Sequence, residues 1–222
     1  MERSMSDSLI LEPTLDADSC VIWLHGLGAN RHDFLPVAEE LQQHLHHTRF
    51  ILPQAPLSPV TCNGGWPMPS WYDILALSPA RAINRDDLEN SSLRIVKLIE
   101  AQVKAGIDPK RIFVAGFSQG GAVALHVAYM HWNKPLGGVL ALSTYAPTFE
   151  EDATLSEVAE HPPALFLHGT QDDVVVTELG RQAHDWLHDR DVSAQWREYD
   201  MSHEVCEEEI TDICQWLLAR LG

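Results

Sequence analysis

The chain is 222 residues long, carries a formal net charge of −17 and is 45% hydrophobic. That length and apolar content suffice for one sizeable core, and a single α/β domain over residues 1–222 absorbs the chain without a linker, repeat or low-complexity segment. The acidity speaks against a nucleic-acid partner, whose phosphates need a basic footprint, and against docking on anionic lipid.

The first residues, Met1-Glu2-Arg3-Ser4-Met5-Ser6-Asp7, lack a basic region followed by a long apolar run, so no secretory signal is expected and Met5 is an alternative start. No window approaches the ~20 apolar residues that span a bilayer, so stable membrane anchoring is not expected. Cys20, Cys62, Cys206 and Cys214 show no CxxC spacing. They read as free thiols of a reducing, cytoplasmic compartment, and their spacing gives no zinc site.

Short apolar runs then alternate with amphipathic stretches, the pattern of helices around a mostly parallel sheet. Strands are expected at Ser8–Leu11, Cys20–Leu24, Arg49–Pro53, Arg111–Phe117, Gly137–Ser143, Ala164–His168 and Val192–Tyr199. Val21-Ile22-Trp23-Leu24, Ile112-Phe113-Val114-Ala115 and Val139-Leu140-Ala141-Leu142 are apolar on consecutive residues, as strands covered on both faces are. Helices are expected at Asp86–Ala105, stopped by Gly106, and at Gln119–Trp132, Leu179–Arg190 and Glu204–Leu221. The last has Glu207, Glu208 and Glu209 near its start, where the helix dipole favours acids. Gln54–Asp73 is the one long irregular stretch; its Trp66, Met68, Trp71 and Tyr72 argue for an ordered, functional loop.

Gly116-Phe117-Ser118-Gln119-Gly120 matches G-x-S-x-G, a short pattern that recurs by chance. Here it has the context it needs, a buried strand before it and a helix directly after. A nucleophile on such a strained turn requires small neighbours so that backbones can pass, and Gly116, Gly120, Gly121 and Ala122 supply them. The plain alternative is a glycine-rich helix entry with Ser118 as N-cap.

A serine hydroxyl needs a general base, and the base needs an orienting acid; on this type of fold they follow in the order Ser, acid, His. The turn after the sixth strand carries Asp172-Asp173, which spacing leaves nearly even. The turn after the last strand carries His203, placed to reach back over the sheet edge. Among the 12 histidines, His184 and His188 are four apart on a helix but lack a third metal ligand. His44, His46 and His47 close a polar helix end, His126 lies in the helix after the elbow as a packed or capped residue, and His168 ends a strand. An oxyanion hole needs two N–H donors. Gln119, directly after the nucleophile, is one, and Leu27 of His25-Gly26-Leu27-Gly28 is the candidate for the other. The dinucleotide reading of that loop fails because G-x-G is not completed: Arg31 stands where the third glycine belongs.

With these motifs the chain resembles the carboxylesterases and acyl-protein thioesterases of the phospholipase/carboxylesterase group, most closely the small bacterial carboxylesterases. The likeness covers nearly the whole chain through Val21–Gly28, Met68–Ile74, Ala115–Ala122, Leu167–Asp173 and Tyr199–Val205. It implies an α/β-hydrolase fold without a large lid domain, no cofactor, and a Ser118-His203-Asp172 triad, selecting Asp172 over Asp173. It also implies Leu27 and Gln119 as oxyanion donors, and an acyl pocket lined by Trp71 and Tyr72 with Trp66 and Met68 beside them. Two departures stand out: Val174-Val175-Val176-Thr177 runs on without the usual proline, and Trp66-Pro67 precedes Met68, which bears on the shape of the acyl pocket. The expected activity is hydrolysis of short to medium acyl esters or thioesters, with acyl-protein thioesterase or lysophospholipase action as the alternative. A non-catalytic binding protein on the same fold would normally lack a triad member, and a dienelactone-type hydrolase would want cysteine at the elbow. The apolar rim around Trp66 and Trp71 could serve a homodimer, substrate or both.

Overall fold

The computed structural model describes residues 7–77 and 81–222; the alternative starts Met1 and Met5 lie outside them. Chain order runs β1 (Ser8–Leu11), β2 (Ser19–Leu24), α1 (Leu35–Gln42), β3 (Thr48–Pro53), β4 (Leu57–Val60), β5 (Trp66–Pro69), β6 (Ile74–Ala76) and β7 (Ala82–Ile83). It continues with α2 (Arg85–Lys104), β8 (Ile112–Phe117), α3 (Gln119–His126), β9 (Gly138–Leu142), β10 (Ala164–Gly169), α4 (Thr177–His188), β11 (Ala194–Tyr199) and α5 (Glu207–Leu221). The seven expected strands form one sheet in the order β1-β3-β2-β8-β9-β10-β11. Only β1 is antiparallel to its neighbour.

The uninterrupted apolar runs have the cause the sequence implies: every residue of β2 is buried. Ile22, Leu24 and Val114 point to a core under α2, α3 and α4, while Val21, Trp23 and Phe113 point to a second core under α1 and α5. Helices cover both faces, so period-two alternation has nothing polar to present. α2 opens on Asn84, whose side chain accepts the Asp87 N–H at 3.2 Å, and Gly106, at φ 101°, follows its end.

Three stretches depart from expectation. Gln54–Asp73 is not irregular: β4 and β5 form a hairpin turned through Gly64 and Gly65, and β6 pairs with β7 just beyond. Pro59 and Pro67 conceal it, because proline argues against a strand except in an edge ribbon such as this. α3 is helical only to His126, after which Val127–His131 widens into a π-turn closed by Trp132 N–H to Val127 O at 2.8 Å. α5 starts at Glu207 rather than Glu204, leaving the residues around His203 as loop.

Glu209, in the first turn of α5, is fully buried, and neither carboxylate oxygen has a hydrogen-bond partner of good geometry. The nearest donor is the Cys206 backbone N–H, and burial pushes the carboxyl up to about 8. The folded chain therefore holds a proton that the unfolded chain releases above about pH 4.3. Stability should fall as pH rises from there toward 8, since the native state binds more protons across that window. Glu209→Gln keeps the shape and cannot ionise. It is expected to leave Tm nearly unchanged at pH 5 and to raise it by several degrees at pH 8.5; equal shifts in thermal melts at the two pH values would exclude a buried titration.

Candidate active site

Strand β8 delivers Ser118 to the sheet's carboxyl edge in a conformation few side-chain-bearing residues adopt, φ 53° and ψ −118°. Its N–H donates to Leu142 O at 2.9 Å and its carbonyl accepts from Thr144 Oγ1 at 2.6 Å, so the turn is held from β9. The glycines around it are sterically required. A Cβ on Gly116 would lie 2.4 Å from the Gly120 carbonyl, and one on Gly120 would lie 2.5 Å from Leu24 O and 2.6 Å from His25 O.

Asp172 follows β10 and is buried, whereas Asp173 beside it is exposed. Asp172 Oδ1 accepts the backbone N–H groups of Val174 (2.9 Å) and Val175 (2.8 Å), and Oδ2 accepts His203 Nδ1–H at 2.7 Å. With Nδ1 donating, Nε2 of His203 keeps its lone pair. The His203 ring packs on Phe117 with centroids 4.7 Å apart, and both residues line one cleft with Ser118. The serine and imidazole share that cleft without a direct hydrogen bond between them, the looser arrangement common before substrate is bound.

Leu27 and Gln119 open on the same cleft. Their backbone N–H groups donate to no backbone acceptor among the described residues, which leaves them available to a negative charge. Leu27's loop is anchored through His25, whose Nδ1–H donates to Gly26 O (2.7 Å) while Nε2 accepts the Ala55 N–H (3.1 Å). Burial holds the His25 imidazole below its ordinary pKa, which favours this neutral tautomer.

The aromatic loop sits elsewhere than expected. None of Trp66, Met68, Trp71 or Tyr72 lines the cleft. Trp66 is 73% exposed on the β4–β5 hairpin, because β5 is an edge strand that turns it outward. Met68 is half-buried against the Gly28 turn, whose N–H donates to Pro69 O at 2.8 Å. Trp71 and Tyr72 are buried behind the cleft and hold its frame together. Trp71 Nε1–H donates to His25 O (2.8 Å), its N–H donates to Gln119 Oε1 (2.9 Å), and Gln119 Nε2 donates to Tyr72 O (2.7 Å). Tyr72 also shares a 2.5 Å hydroxyl contact with Tyr145.

The cleft is about 390 Å³ and takes its walls from residues given no site role by the sequence: Ile74, Leu77, Arg81, Tyr145 and Val174. Arg81 lies over the Tyr145 ring, 4.4 Å from its centroid, and donates to Val174 O at 3.0 Å, which ties the β6–β7 hairpin to the loop of Asp172. The other histidines stay out of it. His44, His46 and His47 are exposed, and His184 and His188 stack on a helix face. His168 donates to Val175 O at 2.7 Å beneath Asp172, with burial lowering its pKa.

A model of the family described as Phospholipase/Carboxylesterase matches residues 5–220. The chain belongs to that family. Acyl-protein thioesterase 1 of Yarrowia lipolytica is 37% identical over 206 residues, 89% of each chain. Carboxylesterase SOBER1 of Arabidopsis thaliana is 33% identical over 212 residues, 92% of each, and its crystal structure superposes with a TM-score of 0.85 at 30% identity over 92% of this chain and 99% of that one. These relatives are fungal and plant proteins, and they show the family that the motifs resemble. The α/β-hydrolase fold that membership implies is the one observed, with no large inserted domain.

Because the Trp71 indole N–H donates to His25 O and so steadies the Leu27 loop, Trp71→Phe, which removes that bond and keeps the backbone bond to Gln119, is expected to cost mainly kcat. The loss on p-nitrophenyl acetate should be about tenfold, below the 10²–10³ typical of deleting an oxyanion donor outright. Steady-state kinetics check this: a change confined to KM would mean that Trp71 touches substrate after all.

Proposed function

We propose that the chain is a serine esterase in which Ser118 attacks the carbonyl carbon of a short to medium acyl ester and His203, oriented by Asp172, takes the hydroxyl proton. The observation that carries this is the 2.7 Å bond from His203 Nδ1 to a buried, acceptor-saturated Asp172, at the mouth of a cleft floored by the strained Ser118. Leu27 and Gln119 N–H groups receive the charge of the tetrahedral oxygen. Collapse expels the alcohol or thiol, which leaves with the proton from His203 Nε2; water then attacks the acyl-enzyme by the same path and returns free Ser118. Asp172 keeps its charge throughout and stabilises the imidazolium.

The cleft favours this substrate range on two grounds. Its volume lies at the low end of ligand pockets, about 300–1,000 Å³, and Ile74, Leu77, Phe117 and Val174 give it apolar walls suited to an acyl chain. Thioesters are within reach of the same chemistry, as the names of the acyl-protein thioesterase relatives bear on directly. Free cysteines, Cys20 among them buried, support a cytoplasmic setting, and no helix of the described residues is long and apolar enough to cross a membrane. A homodimer would use the β4–β5 hairpin, where Leu57 and Trp66 stand exposed, which sedimentation reads directly.

Ser118→Ala should abolish p-nitrophenyl ester turnover, by about 10⁴-fold or more, with an unchanged circular dichroism spectrum, and should block labelling by a fluorophosphonate probe. Retained turnover or labelling of another residue would overturn the assignment. Across matched oxoesters and thioesters of increasing length, kcat/KM should peak at short to medium acyl chains in both series; a rise continuing to long chains would exclude the small cleft as the acyl site.

A further inference from the structure

Away from the cleft, Glu89 on α2, His126 at the end of α3 and His131 at the end of the π-turn converge. One ligand atom of each lies within 4.8 Å of the others. Residues five apart on an α-helix point about 140° away from each other at 3.6 residues per turn. The π-turn supplies the extra residue per turn that brings His131 back over His126, and π-bulges are frequently found at functional positions.

The donor set has the makings of an ion site. Glu89 Oε1 is 2.9 Å from His126 Nε2, and Glu89 Oε2 is 3.3 Å from His131 Nδ1, so the two carboxylate oxygens face two different imidazoles. A tetrahedral ion with bonds of about 2.1 Å places its ligand atoms about 3.4 Å apart, a spacing small side-chain adjustments reach here. His126 is buried, and its other nitrogen, Nδ1, stands 3.0 Å from Thr148 Oγ1. With Nδ1–H donated to that hydroxyl, the lone pair of Nε2 is aimed at the cluster, which is how ligating histidines are commonly oriented. Glu89 and His131 remain 49% and 29% exposed, which gives an ion a path in and a place for water. We propose that Glu89, His126 and His131 bind a divalent ion of the zinc type, the ion that a mixed imidazole and carboxylate set suits. Bound there, it clamps α2 to the outer end of α3, whose inner end carries Gln119.

The inference is independent of the esterase assignment and is tested on metal-stripped protein titrated with Zn²⁺ against a chromogenic chelator. The wild type should take up one equivalent that Glu89→Gln and His131→Ala each weaken at least tenfold. Glu89→Gln can offer its amide N–H to the Nε2 lone pair, so it keeps a hydrogen bond while removing the anionic ligand, and it carries the test if His131→Ala folds poorly. His188→Ala, which removes the competing His184/His188 pair on α4, should leave the equivalent intact. At 100 times Kd the Tm of the wild type should rise by about 5 °C or more, and that of Glu89→Gln should not. No bound equivalent, binding indifferent to Glu89→Gln, or binding lost in His188→Ala would each overturn the site.

Discussion

The close crossing of α3 over the end of β2 is the constraint on which the rest of the site depends. At Gly120 the helix backbone approaches the carbonyls of Leu24 and His25 so nearly that a single methyl group would collide at 2.5 and 2.6 Å. That approach is what brings the Gln119 N–H and the Leu27 N–H, from elements more than ninety residues apart in sequence, to the same side of one cleft. It also explains why Ser118 tolerates φ 53°: bonds from Leu142, Thr144 and Ala122 hold the turn from both flanks, and the packing of two sheet neighbours outweighs a local strain of order 1–3 kcal/mol.

Such a crossing buries loop backbone, and buried N–H and C=O groups must be paired. The Trp71-Tyr72 segment meets that requirement. Its indole N–H, backbone N–H and carbonyl are all taken up, by His25 O, Gln119 Oε1 and the Ser91 hydroxyl. Gln119 thus has two separate duties, a side chain that satisfies the aromatic loop and a backbone N–H turned to the cleft. The elbow pattern leaves this position open, yet in this chain a residue without an amide would strand the buried Trp71 N–H, while the Tyr72 carbonyl would keep only its bond from the Ser70 hydroxyl.

The sheet was legible because doubly covered strands are written as consecutive apolar residues, and every such run became a central strand. The elbow was legible because its glycines answer a steric demand that any sequence making the turn must meet. The histidine followed from its place after the last strand, but Asp172 and Asp173 could not be told apart from spacing; burial and two backbone N–H groups distinguish them, and those arise only in the folded loop. Family likeness chose Asp172, and the contact with His203 falls on it. The same likeness put Trp71 and Tyr72 on the acyl wall, and that failed, since large aromatics in a loop are as well explained by a buried frame as by a ligand surface. Leu77 and Arg81 carried no signal at all, and Val174 only the absence of a proline, being ordinary residues on a hairpin and a turn that meet only in three dimensions. His131 was likewise invisible, because the π-turn that brings it to His126 breaks the periodicity by which a helix face is read.

The three-part division of the site follows from where each part hangs. Ser118, Asp172 and His203 stand on turns at the carboxyl ends of β8, β10 and β11, and the last two turns are locked by another forced contact: a Cβ at Gly169 would lie 2.3 Å from both Met201 O and Ser202 O. The chemistry is therefore built into the crossings of the sheet itself. One wall of the cleft is not, because Ile74, Leu77 and Arg81 belong to the β6–β7 hairpin, held to the body partly by the Arg81 bond to Val174 O and its stacking on Tyr145. Changes in that hairpin can alter which acyl group fits while leaving every backbone contact of the triad untouched. The turns that carry Ser118, Asp172 and His203 are accordingly fixed by steric necessity, whereas Ile74, Leu77 and Arg81 stand on a separately supported ribbon.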